Sequence, residues 1–103
     1  MTRRTDIEIA LRRLAPRIPD FEAEAIVDHA RDSAGLRQST PETAAWLAMT
    51  AYVRHALTDY DALLDEGYDP DSARFFVLDA MNEILAAWGA VRRVSGEEPE
   101  GSV

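Results

Sequence analysis

The 103-residue sequence contains no cysteine, which excludes a disulfide framework, any thiolate metal site and any thiol nucleophile. Lysine is absent as well: all eleven basic residues are arginine, a skew expected of GC-rich bacterial coding rather than of a function. The charged start Met1-Thr2-Arg3-Arg4-Thr5 leads straight into an amphipathic stretch and lacks the apolar run of a signal peptide, so export is not expected. No long hydrophobic run follows. The most apolar segment, Ala44 to Leu57, is interrupted by Arg54 and His55 and is too short to cross a bilayer as a helix. A cytoplasmic protein that makes no membrane contact is the expectation. Also missing are internal repeats, a glycine-rich phosphate loop, a sustained heptad run and the polar–apolar alternation of strands.

What is present is the composition of an ordinary globular domain, 47% hydrophobic and 29% charged, in a chain long enough for one core. The formal net charge of −8 argues against general nucleic-acid binding, which depends on an excess of basic groups to neutralise phosphates. The charge is unevenly placed. Up to Arg37 arginines and acids balance, whereas between Gln38 and Val91 only Arg54 and Arg74 oppose a long series of acids.

Apolar residues repeat at three and four, which predicts an all-α fold: a compact bundle of about five short helices around a central apolar one. A Thr5-x-x-Glu8 capping box would open the first helix, with Ile7, Leu11 and Leu14 on one face and Pro16 ending it. Pro19-Asp20 caps the second, with Phe21, Ala25, Ile26, Val27 and Ala30 inward, and Gly35-Leu36 closes it. Thr40-Pro41 is an N-cap with proline at the first helical position, where its missing N–H costs nothing. The helix it starts is apolar nearly all round from Ala44 to Leu57, as the centre of a bundle requires. That helix either continues to Gly67 or breaks at Thr58, where Thr58-Asp59-Tyr60-Asp61 forms a second capping signal. Asp69-Pro70 caps the last helix, with Ala73, Phe76, Val77, Ala80, Met81, Ile84, Leu85 and Trp88 inward as far as Gly89. One helical domain over residues 1–91 is expected, and the polar, turn-rich residues 92–103 read as a disordered tail.

The run Arg54-His55-x-x-Thr58-x-Tyr60-Asp61-x-Leu63-Leu64 resembles a bacterial family of unknown function, numbered DUF2293. Pro16 and Pro19, the His29-Ala30 pair, Ala73-Arg74 and Trp88 extend the likeness over about residues 10–89. The family's Arg-Val-Gly-Arg-like turn after the second helix is matched only by Arg37 within Leu36-Arg37-Gln38-Ser39. The resemblance implies no activity, substrate or cofactor.

The most distinctive polar group is Arg54, His55, Thr58, Asp59, Tyr60 and Asp61. As a catalytic site, Asp59 would orient His55 as a base, with Asp61 beside it and Arg54 holding an anion. As a structural corner, Thr58 and Asp61 cap a helix, Arg54 pairs with an acid and His55 bonds to a loop carbonyl. The corner reading carries more weight, because capping alone explains half the pattern. Arg37 and Arg74 are the candidate anion-binding residues. No metal or other cofactor is expected: His29 reads as a buried, hydrogen-bonded histidine, and the acids from Asp59 to Asp71 do not fit a calcium loop, having Phe76 where its bidentate glutamate belongs.

The expected function is therefore a non-enzymatic protein-interaction module, self-association included, using surplus apolar surface at Trp46, Phe75 and Leu78. A protein partner or homo-oligomer follows from it. One alternative is a small hydrolase or metal-dependent enzyme centred on Arg54, His55, Asp59 and Asp61, which lacks a nucleophile motif and an oxyanion-hole loop. The other is a nucleic-acid adaptor using Arg3, Arg4, Arg12, Arg13 and Arg17.

Overall fold

A computed structural model describes residues 2–95. Over these residues the protein is all-α, with five α-helices, one short 3-10 turn and no strand. The helices are α1 (Arg3–Leu14), α2 (Asp20–Asp32), α3 (Pro41–Leu57), α4 (Tyr60–Asp65) and α5 (Pro70–Ala87), and the 3-10 turn covers Ala34–Leu36. The first three pack on one another, and α3 also meets α4 and α5. It is the central helix its composition predicts.

The N-cap of α1 is Thr2, whose side chain accepts from the Thr5 N–H at 3.2 Å. Expecting Thr5 as the cap was therefore one turn late. Glu8 does not close a capping box; it pairs with Arg4 and Arg12 one turn away on either side. Ile7, Ala10 and Leu11 face inward, and the helix ends before Pro16, which has no N–H to continue it. In α2 the buried face is Ala23, Ile26, Val27 and Ala30. Phe21 is 77% exposed rather than inward, because a residue two positions before Ala23 sits about 200° round the helix. Nor does α2 run to Gly35: it stops at Asp32, and Gly35 lies in the 3-10 turn that sinks Leu36 into the core.

Thr40 caps α3 through the Thr43 N–H at 3.2 Å. From Ala44 to Arg54 nearly every side chain is buried. The helix breaks at Thr58, whose backbone is extended at φ −131° and ψ 175°. There the Thr58 hydroxyl donates to the Arg54 carbonyl and accepts from the Tyr60 N–H at 3.2 Å. One hydroxyl thus occupies an orphan carbonyl of the ending helix and an orphan N–H of the next.

Short α4 closes at Gly67, whose φ of 103° is left-handed backbone that favours glycine. Asp69 then caps α5, accepting from the Ser72 N–H at 2.9 Å and from its hydroxyl at 3.2 Å. Those bonds, the backbone one first, hold the Asp69 carboxyl below the usual carboxylate range. The buried stripe of α5 is Ala73, Val77, Met81, Asn82 and Leu85. It is narrower than the sequence suggests: Ala80 is exposed and Phe76 is 58% exposed. Among the helices, α3 and α4 pack most on α5, so Phe76 and Ala80, off the four-residue repeat, face outward.

Beyond α5 the chain turns at Gly89, φ 88°, where the Arg17 N–H bonds to the Trp88 carbonyl at 2.8 Å and ties the α1–α2 loop to the end of α5. Part of the segment expected as a tail from residue 92 is packed. Val94 is 3% exposed and joins the core, so the packed chain includes residues 92–95; the rest of that tail lies outside the described residues. No described helix is long and apolar enough to cross a membrane.

Candidate functional site

The α3–α4 corner separates residues that look equivalent in sequence. His55 and Asp59 would share a face one turn apart had α3 continued. The break at Thr58 rotates Asp59 away and brings Asp61 round instead, so that the His55 Nδ1 lies 2.7 Å from the Asp61 carboxylate. Asp59 is exposed at the N-cap position of α4, with its carbonyl accepting from the Leu63 N–H at 2.9 Å. The contact shown for the His55 Nδ1 is with this carboxylate. His55 also packs edge-on against the buried Tyr60 ring, centroids 5.2 Å apart. The side chains of His55 and Asp61 remain 44% and 59% exposed, so their pair is open to water.

Arg54 neither holds an acid nor faces solvent. It is 1% exposed, and among the described residues no carboxylate comes within ion-pair distance. Its Nε has no acceptor, and the guanidinium carbon lies 5.8 Å from the centroid of the Tyr60 ring. Arg74 pairs with Asp71 on its own helix, and Arg37 is exposed at the end of the 3-10 turn.

His29 is exposed rather than buried. Both histidines of the chain border one cleft of about 310 Å³, lined by His29, Ala51, Tyr52, His55 and Ala56. The Tyr52 hydroxyl at this cleft donates to Glu22 of α2. That hydrogen bond, reinforced by burial and by the negative charge of Glu22, pushes the Tyr52 phenol up to about 12. Among the described residues no group of three or more His, Asp and Glu side chains is arranged to hold a metal ion.

The N-terminal arginines are used inside the molecule. Arg4 pairs with Asp28 at 3.0 Å and Arg12 with Asp20 at 3.2 Å, while Arg3 donates to the Leu36 carbonyl and Arg17 to the Ala86 carbonyl. Of these five arginines, Arg13 is left as an exposed side chain for an outside partner. Four of the five thus tie the N-terminal segment to other parts of the fold.

Apolar surface is distributed otherwise than expected. Trp46 is 2% exposed and belongs to the core, with Arg92 over its ring, so it is not part of the exposed apolar surface. Leu78 is half-buried. Phe75 is 74% exposed and adjoins Phe76 and Tyr68, at 58% and 45%. Their rings meet edge to face, Tyr68 with Phe76 at 5.4 Å and Phe75 with Phe76 at 6.1 Å. This aromatic patch at the α4–α5 connection sits among exposed Asp65, Glu66, Asp69, Asp71 and Asp79. Sequence reasoning included Phe75 but placed Phe76 inward and overlooked Tyr68. Adjacent residues lie 100° apart on a helix, so Phe75 and Phe76 cannot share so narrow a stripe, and that was the available signal.

The family described as Uncharacterized conserved protein (DUF2293) matches residues 10–89. No curated protein and no solved structure matches the chain.

Proposed function

Because the chain belongs to the DUF2293 family, whose description specifies no activity, we propose from its own surface that it is a protein-interaction module. The observation that carries this reading is the exposed Tyr68–Phe76–Phe75 cluster. Three large aromatics joined by two edge-to-face contacts through Phe76 are held in place before any partner arrives, which lowers the entropy cost of using them as anchors. Aromatic anchors inside a polar rim are the anatomy of binding hot spots. The rim is acidic, and it lies in the half of the chain where acids outnumber arginines. The occupant that fits is a protein surface presenting apolar groups within a basic surround, since charge complementarity speeds encounter and excludes acidic competitors.

The test is site-specific photo-crosslinking in the native host, with the reactive group at position 76 and a control group at the exposed position 24. A discrete adduct formed only from position 76, through a basic segment of another protein and weakened by Phe75→Ser, supports the reading. Identical adduct patterns from both positions, or capture of acidic segments, would count against it.

The His55–Asp61 pair supports an enzymatic reading less well. A carboxylate at Nδ1 is the arrangement that orients a general base, but both side chains are substantially exposed, and Arg54, the residue assigned to hold an anion, is buried.

A further inference from the structure

The chain after α5 lies in a groove between α3 and α5, and each of three successive side chains is received differently. The Arg92 guanidinium stacks over the Trp46 ring at 4.1 Å. Arg93 borders a cleft of about 310 Å³ whose other lining residues are Asp79, Asn82, Glu83 and Ala86, two of them carboxylates. Val94 is buried to 3%. Asn82, itself only 7% exposed, fixes the backbone at that point. Its amide nitrogen donates to the Val94 carbonyl at 3.1 Å, and its carbonyl oxygen accepts from the Val94 N–H at 2.8 Å.

A buried amide that satisfies both main-chain groups of one residue does for a single residue what a neighbouring strand does in a sheet. Its bonds read extended backbone and not side-chain identity. Identity is read on either side: an indole face for a guanidinium, two carboxylates for a second cation, and an apolar seat for an aliphatic side chain. Burying an asparagine in a helix that would otherwise present Ala73, Val77, Met81 and Leu85 is a cost unless the amide is fully engaged. Here it is engaged wholly by an extended segment from outside the helix.

We propose that this groove is a recognition site for an extended basic-basic-aliphatic segment of another protein, and that residues 92–94 occupy it in cis as a latch. The groove shares Asp79 with the rim of the aromatic patch but none of its three rings, and the proposal does not depend on that patch. Tethering gives the resident segment an effective concentration of the order of millimolar, so a partner engages only when it binds more strongly than the latch or when the latch is released.

The test uses the full chain. Val94→Asp places a carboxylate in the apolar seat and releases the latch while leaving the groove's own residues intact. Fluorescence anisotropy then follows a labelled, capped peptide of sequence Ala-Val-Arg-Arg-Val-Ser. Affinity for the Val94→Asp chain at least about tenfold above that for the unmodified chain is expected, since release removes the cis competitor. Adding Asn82→Ala to Val94→Asp should abolish this gain, and a peptide with aspartate in place of its valine should not bind. Equal binding to the unmodified, Val94→Asp and doubly substituted chains would mean nonspecific attraction between charges and would overturn the proposal. So would absence of binding by a Val94→Asp chain that keeps its helical circular dichroism and a cooperative melt. Should that variant fail to fold, Val94→Gly takes its place under the same criteria. Exchange of the segment between two copies, seen as a dimer of the unmodified chain crosslinked between positions 82 and 94, would replace the foreign partner with a second copy and overturn the partner assigned here.

Discussion

Replacing Arg54 with methionine is expected to stabilise the protein. Arg54 is 1% exposed as a residue, its Nε–H has no acceptor, and no described carboxylate pairs with it. Removing an ion from water costs several kcal/mol even after relaxation, and an unsatisfied buried N–H accounts for about 1–3 kcal/mol of such a penalty. The compensation on view is the Tyr60 ring at 5.8 Å, near the outer limit for a cation–π contact and contributing about 0.5–2 kcal/mol. Methionine keeps an unbranched stem of similar reach and so preserves most of the packing. The balance favours the variant by about 1–3 kcal/mol, and each kcal/mol corresponds to about 4–8 °C in Tm for a domain of this size. Urea unfolding followed by circular dichroism, with the slope unchanged, is the appropriate measurement. A loss of about 1 kcal/mol or more would refute the reasoning, because it would mean that the charge is paired and contributes to the fold.

Two further expectations rest on single contacts. Gly89→Ala places a Cβ on backbone at φ 88° and 3.2 Å from the Pro16 ring, so a loss of about 1–2 kcal/mol is expected from the left-handed conformation alone; an unchanged melting temperature would show that the α5 turn can rearrange. Tyr52 should titrate near 12, above its ordinary value of 10, because of Glu22. A raised folded value means that the native state holds the proton more tightly, so the stability it contributes is complete below about pH 10 and is lost as the pH rises through about 12. Ultraviolet difference titration should show Glu22→Gln bringing this phenol back toward 10, and a native protein whose tyrosines all ionise together near 10 would contradict the Tyr52–Glu22 bond.

Much of the fold could be read from local chemistry. Thr40-Pro41 and Asp69-Pro70 cap helices because a side-chain oxygen meets an orphan N–H within three residues, and that needs no distant partner. The apolar period of α3 announced a central helix for the same reason. Errors arose where two local signals competed. Thr2 and Thr5 both qualify as caps for α1, and Phe75 and Phe76 both qualify for the inner face of α5. The Thr5 N–H bonds to the Thr2 hydroxyl, which makes Thr2 the cap, and the packing on α5 leaves both phenylalanines exposed.

The candidate sites were less legible. His55 with Asp59 and His55 with Asp61 are equally plausible pairings until the chain's direction after Thr58 is known. A buried arginine without a counter-ion leaves no mark in the sequence, and Val94 stands alone in a polar stretch with nothing nearby to indicate a docking surface on Asn82, twelve residues earlier. The sequence by itself determined the all-α class, the Thr40 and Asp69 caps and the excess of acid in the second half, because these follow from periodicity, short-range hydrogen bonds and composition. Only the tertiary structure decided which aromatics are core and which are surface, that Arg54 is enclosed while Arg92 covers Trp46, and that Asn82 clamps Val94. Each of those is set by how many neighbouring helices cover a given face, and coverage depends on the path of the whole chain.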